Sequence, residues 1–87
     1  MGRPAEPIPA QLTDLYRDRA PVVVLKATRS ILGLAVTDRF LIDFPVLIEC
    51  DGLLILGNVR HCIRASHGGY VLGIMVSRIL EDHRRVD

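Results

Sequence analysis

The sequence predicts a small, mainly β protein, either an antiparallel β-barrel or a strongly curved five-stranded sheet with a short C-terminal helix. Three observations lead to this prediction. The chain has 87 residues, which suits one domain, and 49% of them are hydrophobic, an ordinary value for a folded core. Short runs rich in valine, isoleucine and leucine alternate with turn signals. Three of these runs contain a glycine, where a sheet can bend sharply: Gly33, Gly57 and Gly73.

The first 20 residues predict a polar, proline-containing segment ahead of a barrel domain over residues 21–87. Residues 1–10 contain three of the five prolines, which favour an extended chain. Leu12, Leu15 and Tyr16 have the spacing of one helix face, so a short helix is predicted from Ala10 to Asp18.

The body of the chain predicts five strands, over residues 21–25, 31–36, 45–50, 53–62 and 70–76, because their β-branched and apolar residues favour extended backbone. Asp51-Gly52 predicts a type I′ hairpin turn, which needs positive φ at both positions. Residues 66–69, Ser-His-Gly-Gly, predict a second turn. Ser77 is a good N-cap, so a short polar helix is predicted over residues 78–85.

Charge and hydropathy exclude two classes of partner. The net charge is +1, from 11 basic and 10 acidic residues, which leaves no excess of charge to hold DNA. No uncharged stretch approaches the roughly 20 residues of a membrane span, so no membrane insertion is expected. The N-terminus lacks the apolar core of a signal peptide, and we therefore expect a cytoplasmic protein.

Neither metal-binding nor catalytic patterns occur in the sequence. Cys50 and Cys62 are 12 residues apart without a second pair, so they predict buried free thiols and no zinc site. His61 precedes Cys62 in a predicted strand, where neighbours point to opposite faces, which argues against a Cys/His pair. We expect no enzyme activity, no catalytic residue, no metal and no cofactor.

Three stretches between Val22 and Leu80 give the chain a likeness to a known family. Residues 26–34, Lys-Ala-Thr-Arg-Ser-Ile-Leu-Gly-Leu, resemble an Asp/Asn-x-Ser-x-x-Gly turn and its following strand. Residues 53–62 resemble a strand written Gly-Glu-Val-Arg-x-Cys, and residues 68–74 resemble a closing Gly-Tyr-x-x-Gly-Ile strand. The chain thus resembles a PilZ domain, a small bacterial β-barrel that senses cyclic di-GMP. The resemblance implies a barrel fold, with cyclic di-GMP as the ligand.

The resemblance also implies a ligand site, from which this sequence departs. The family holds the ligand with an Arg-x-x-x-Arg pair ahead of the first strand, which is absent here; Arg17 and Arg19 are the nearest substitutes. Lys26, Thr28 and Ile31 take the positions of the acidic residue, the serine and the glycine. An ammonium cannot accept a hydrogen bond from guanine. The candidate ligand-binding residues are therefore Arg17, Arg19, Lys26, Thr28 and Arg29.

These departures favour a PilZ-like adaptor of cyclic di-GMP signalling that acts through protein contacts. The alternatives are a true cyclic di-GMP receptor with a non-standard site and a small barrel that binds another ligand such as RNA. Four aromatic residues offer little for base stacking. The family's first strand has no clear counterpart, which predicts an open barrel edge where a protein partner or a second copy adds a strand, near Val22, Val23, Val24 and Leu25.

Overall fold

A computed structural model describes residues 7–14, 16 and 18–81 as a closed barrel of six antiparallel strands. The strands are β1 (Ile8–Thr13), β2 (Arg19–Ala27), β3 (Ile31–Val36), β4 (Pro45–Cys50), β5 (Leu53–Arg64) and β6 (Tyr70–Glu81). Their order around the barrel is β1-β2-β3-β6-β5-β4. The predicted fold class, a small antiparallel β-barrel, is confirmed, with six strands instead of five.

The barrel interior is filled by aliphatic side chains from every strand. Because successive strand residues point to opposite faces, alternate positions enter the core. Among the described residues no polar side chain is buried, so the interior needs no hydrogen-bonding partners. The buried hydrophobic residues are Ala10, Leu12, Val22, Val24, Leu32, Leu34, Val36, Val46, Ile48, Ile55, Val59, Leu72 and Ile74.

The N-terminal segment contributes a strand, so the helix predicted from Ala10 to Asp18 is wrong. Ala10 and Leu12 are both buried and lie two residues apart, which is strand periodicity. β1 pairs with β2 along its whole length and with β4 through Gln11–Thr13. Pairing on both sides outweighs a helix of two turns, which is marginal by itself. Leu15 and Arg17 lie outside the described residues.

The open edge predicted at Val22–Leu25 is also corrected by β1. Val22 pairs with Ala10 and Val24 with Ile8 on one side of β2. Val24 pairs with Leu34 of β3 on the other side. The strand that the sequence-based prediction lacked is Ile8–Thr13, and it covers the predicted edge from Val22 to Val24.

The predicted C-terminal helix is wrong over residues 78–81, where β6 continues. Residues 78–81 pair with residues 53–56 of β5, with Ile79 opposite Ile55. The Ser77 hydroxyl donates to the Leu56 carbonyl oxygen at 3.1 Å, so it bridges two strands instead of capping a helix. Residues 82–85 of the predicted helix lie outside the described residues.

The β4–β5 hairpin turn has the backbone conformation that its sequence predicts. Asp51 and Gly52 have φ angles of 53° and 78°, as a type I′ turn requires. The second predicted turn also has a left-handed backbone, with φ of 103° at Gly68 and 71° at Gly69. Both hairpins therefore follow from local turn chemistry.

Gly57 lies where β5 approaches β6 too closely for any side chain. The register between these strands shifts at Leu56/Gly57, which marks a bulge. A Cβ atom on Gly57 would lie 2.5 Å from the Met75 carbonyl oxygen and 2.7 Å from Ile74 Cγ2. The first of these atoms belongs to the backbone, so the strands themselves would have to move apart.

Gly57→Ala is therefore expected to destabilise the barrel. Overpacking of this kind costs about 1–3 kcal/mol in the free energy of unfolding, measured by urea denaturation of both proteins.

Gly33→Ala is the matched control, since a Cβ there would meet only Lys26, with its Cβ at an ordinary 3.5 Å. Its unfolding free energy should stay within about 0.5 kcal/mol of the natural chain. Equal losses in the two variants would contradict the steric explanation.

Candidate functional site

The four candidate ligand-binding residues that the structure describes do not form one site. Arg19 begins β2, Lys26 lies near its other end, and Thr28 and Arg29 follow in the turn before β3. Arg19 and Lys26 are seven positions apart on an extended strand, a distance of about 23 Å at roughly 3.3 Å per residue. Lys26 and Arg29 are exposed at the same end of the strand, and Arg17 lies outside the described residues.

Arg19 is engaged by a carboxylate. Its Nη2 atom donates to Glu49 Oε1 of β4 at 2.9 Å, and the pair spans β1, which lies between β2 and β4. The Arg19 side chain is exposed, so the pair adds at most about 1 kcal/mol to stability. Arg19 also follows β1 in the chain, and so it does not occupy the position ahead of the first strand that the PilZ resemblance implies.

Thr28 stabilises the β2–β3 turn through hydrogen bonds. Its backbone N–H donates to the Ile31 carbonyl oxygen at 2.8 Å. Its hydroxyl accepts a hydrogen bond from the Ile31 N–H at 3.1 Å and lies 3.3 Å from the Ile31 carbonyl oxygen. Ile31 is the first residue of β3, so the turn forms without a glycine at this position. The Thr28 hydroxyl is thus committed to backbone groups.

A cleft of about 860 Å³ lies beside the β1–β4 junction. β1 and β4 pair only from Gln11 to Thr13 and from Leu47 to Glu49, so the start of β1 and the β4–β5 turn are free to diverge. Among the described residues, the lining of the cleft includes the carboxylates of Glu49 and Asp51 and no lysine or arginine. It therefore lacks the cations that would attract the phosphates of a dinucleotide. Its other lining residues are Pro9, Ala10, Gln11, Pro21, Val22, Val23, Ala35, Val36, Thr37, Cys50, Gly52, Leu53 and Leu54.

Both cysteines are free and half-buried. Cys50 lines the cleft, where burial raises the pKa of its thiol and the neighbouring Asp51 carboxylate adds to the rise. Cys62 packs against the core, whereas His61, its neighbour in the chain, is exposed on the other face of β5. Within the described residues, no group of three histidines, cysteines or carboxylates could hold a metal ion.

Acidic side chains are absent from one large part of the barrel. Residues 19–37 and 53–80 contain no aspartate or glutamate. These segments include β2, β3, β5 and most of β6, which are neighbours in the order β2-β3-β6-β5. More than half of the barrel wall therefore carries cations without carboxylates.

The outward residues of these strands form a surface that we call the basic outer face. Ile31 pairs with Met75, and a guanidinium nitrogen of Arg60 lies 3.9 Å from the Met75 sulfur. In the next row across the sheet, His61 pairs with Gly73, which pairs with Gly33. Gly33 pairs in turn with Lys26. The face is defined by Lys26, Ile31, Arg60, His61, Ile63 and Met75, all of them exposed.

A separate surface, which we call the apolar tip, lies at one end of the barrel. It is defined by Tyr16, Phe40, Leu41, Ile42 and Phe44. The Phe44 ring centroid lies 6.1 Å from that of Tyr16 and 6.2 Å from that of Phe40, so the β1–β2 and β3–β4 connections meet there. None of these rings belongs to the basic outer face.

Hydrogen bonds hold the apolar tip in a fixed conformation. Asp43 has a φ of 69°, an uncommon value for a residue with a side chain. Its N–H donates to the Val59 carbonyl oxygen at 2.6 Å, and the Val59 N–H donates to the Phe44 carbonyl oxygen at 3.0 Å. The Asn58 side-chain amide donates to the Asp43 carbonyl oxygen at 3.2 Å. The sequence signal for this surface is the apolar run Phe40-Leu41-Ile42, which lies between two predicted strands.

Comparison of the chain with protein-family models, curated proteins and solved structures found no match. No helix in the described part of the chain is long and apolar enough to cross a membrane.

Cys50 is expected to alkylate slowly. Because the pKa of its thiol is raised, less thiolate is present at neutral pH, and the thiolate is the nucleophile. In a Cys62→Ser background, its rate with iodoacetamide at pH 7.5 should be at least about threefold lower in the folded than in the urea-unfolded chain.

Asp51→Asn tests the electrostatic part of this shift, since asparagine also accepts a positive φ. The Cys50 rate-against-pH curve should move to lower pH in this variant. A curve that stays in place or moves to higher pH would contradict the contribution of Asp51.

Proposed function

We propose that this chain is a PilZ-like adaptor module of bacterial cyclic di-GMP signalling, which acts through protein contacts and not as a high-affinity receptor. The PilZ-like stretches of its sequence and its small antiparallel barrel support the family. The separation of Arg19 from Lys26 by about 23 Å along one strand carries the functional part of the proposal. A compact dinucleotide needs its phosphate and guanine contacts close together, and these residues are not.

The two halves of the implied ligand site each lack an essential group. Since β1 begins at Ile8, the arginine pair of the family belongs before residue 8. The sequence has Arg3 there, but the residue four positions later is Pro7, which offers no side-chain donor. Lys26 replaces the residue that would accept hydrogen bonds from guanine. Loss of such buried partners costs a binding site several kcal/mol.

The RNA alternative has less support. The basic outer face offers cations, but it has no aromatic side chain among its residues, and single-stranded RNA is held largely by stacking on such rings. Tyr16, Phe40 and Phe44 pack against one another at the apolar tip instead.

Calorimetric titration with cyclic di-GMP at low salt tests the absence of a receptor site. We expect no saturable heat up to about 1 mM ligand, which corresponds to a binding free energy weaker than about 4 kcal/mol. Micromolar binding that is lost in Lys26→Ala or Arg19→Ala would overturn the adaptor proposal in favour of a receptor. Arg78→Ala, which removes an exposed cation of β6 outside the candidate residues, serves as the control substitution.

A restored ligand site tests the family assignment independently. Pro7→Arg places a second arginine four positions after Arg3 and directly before β1, and Lys26→Asp with Ile31→Gly restores the acidic residue and the glycine of the turn. If the scaffold is that of a PilZ domain, the triple variant should bind cyclic di-GMP at least about a hundredfold more tightly than the natural chain, a difference of about 2.7 kcal/mol.

Pro7→Arg alone provides the control for added charge, since an extra cation attracts any anion weakly. The triple variant must retain the β-rich circular dichroism and the cooperative unfolding of the natural chain. A folded triple variant that binds no more tightly than the control would rule out the PilZ assignment.

A further inference from the structure

We propose that this chain forms a two-fold dimer in which the apolar tip of each copy docks on the basic outer face of the other. The inference goes beyond the adaptor proposal, because it rests on two surfaces of the barrel and holds whether or not cyclic di-GMP binds.

The apolar tip exposes aliphatic side chains that a monomer would leave in water. Leu41 and Ile42 are consecutive and retain 69% and 54% of their accessible surface. The loop that carries Leu41 and Ile42 is fixed by hydrogen bonds that join Asp43 and Phe44 to Asn58 and Val59 of β5. A partner therefore gains apolar contact without a large cost of ordering the loop. Contiguous exposed apolar surface of this kind typically marks an interaction site.

The basic outer face can receive such a tip. Ile63 is 57% exposed and Met75 is 42% exposed, and Ile31 lies beside Met75 in the next strand. Gly33 forms a notch in this face, since a Cβ built on it meets only Lys26, with its Cβ at 3.5 Å. An aliphatic side chain from another molecule can approach the sheet backbone at this notch.

The distribution of charge favours a second copy of the chain as the partner, and it favours contact between an apolar tip and a basic outer face. Segments 14–18 and 37–44, which carry the apolar tip, contain four aspartates and two arginines. Segments 19–37 and 53–80, which carry the basic outer face, include Lys26, Arg60 and Arg64 and contain no carboxylate side chain. Contact of two tips or of two faces would bring like charges together, whereas a tip on a face brings opposite charges together. One chain thus contains both halves of a complementary pair.

The position of the apolar tip allows both copies to dock on each other at the same time. Residues 43 and 44 extend β4 along β5 through their hydrogen bonds with Val59, and Arg60 and His61 follow Val59 on that strand. The tip and the face therefore adjoin one another across β5. A two-fold axis near this boundary would place each tip on the opposite face and close the assembly at two copies.

Light scattering and sedimentation equilibrium of the natural chain test the dimer directly. We expect a monomer–dimer equilibrium whose dissociation constant rises with NaCl concentration, because salt screens the charge pairing. Leu41→Ser with Ile42→Ser, and separately Met75→Glu, should each raise that constant at least about tenfold. Leu80→Ser, which changes an exposed leucine outside both surfaces, should leave it unchanged.

Carbodiimide crosslinking identifies the contact at residue level, because Lys26 is the only lysine in the chain. In an equal mixture of ¹⁴N- and ¹⁵N-labelled protein, we expect mixed-isotope crosslinks from Lys26 to Asp38 or Asp43. A clean monomer at about 1 mM protein would overturn the proposal, with each surface then left for a different protein. So would a dimer that persists in the tip variant, or one whose Lys26 crosslinks reach only Glu49 or Asp51.

Discussion

The junction between β1 and β4 is the constraint on which the rest of the barrel depends. It consists of three residue pairs, Gln11–Thr13 against Leu47–Glu49, and it joins strands that are distant in sequence. Leu12 and Ile48 face each other there and are almost completely buried. Without this junction the molecule would be an open sheet with two unpaired edges. Because the junction is short, the strands diverge beyond it and leave the cleft that contains Cys50.

The order of the strands determines how charge is distributed. Segments 19–37 and 53–80 are far apart in the sequence, and they become one carboxylate-free wall only because β3 pairs with β6. The net charge of +1 conceals this separation. A balanced charge therefore excludes a uniformly basic protein but not a basic surface. The same geometry separates Arg19 from Lys26, since both belong to one extended strand.

Local sequence predicted the elements whose partners are close in the chain. The Asp51-Gly52 hairpin and the strands 31–36 and 45–50 have the predicted bounds, because turn chemistry and β-branched runs act locally. β1 was missed because the prolines of residues 1–10 favour an extended chain outside a sheet and because Leu12, Leu15 and Tyr16 imitate helical spacing. Residues 78–81 were missed because their strand conformation comes from pairing with residues 53–56. The cleft and the basic outer face both depend on strand order, which no local pattern encodes.

The presence of β1 changes how such a module can recognise other proteins. A barrel that lacked its first strand could capture a partner through the backbone of β2, by a mechanism that is nearly indifferent to side chains. Because β1 pairs with β2 from Val22 to Val24, that route is closed at the predicted edge. In the proposed adaptor, recognition would then come from side chains on the outer wall and the loops, where exposed aliphatic residues and separated charges provide both attraction and discrimination. The proposed adaptor role is compatible with this fold because the core requires only apolar alternation, while the surface is free to specify a partner.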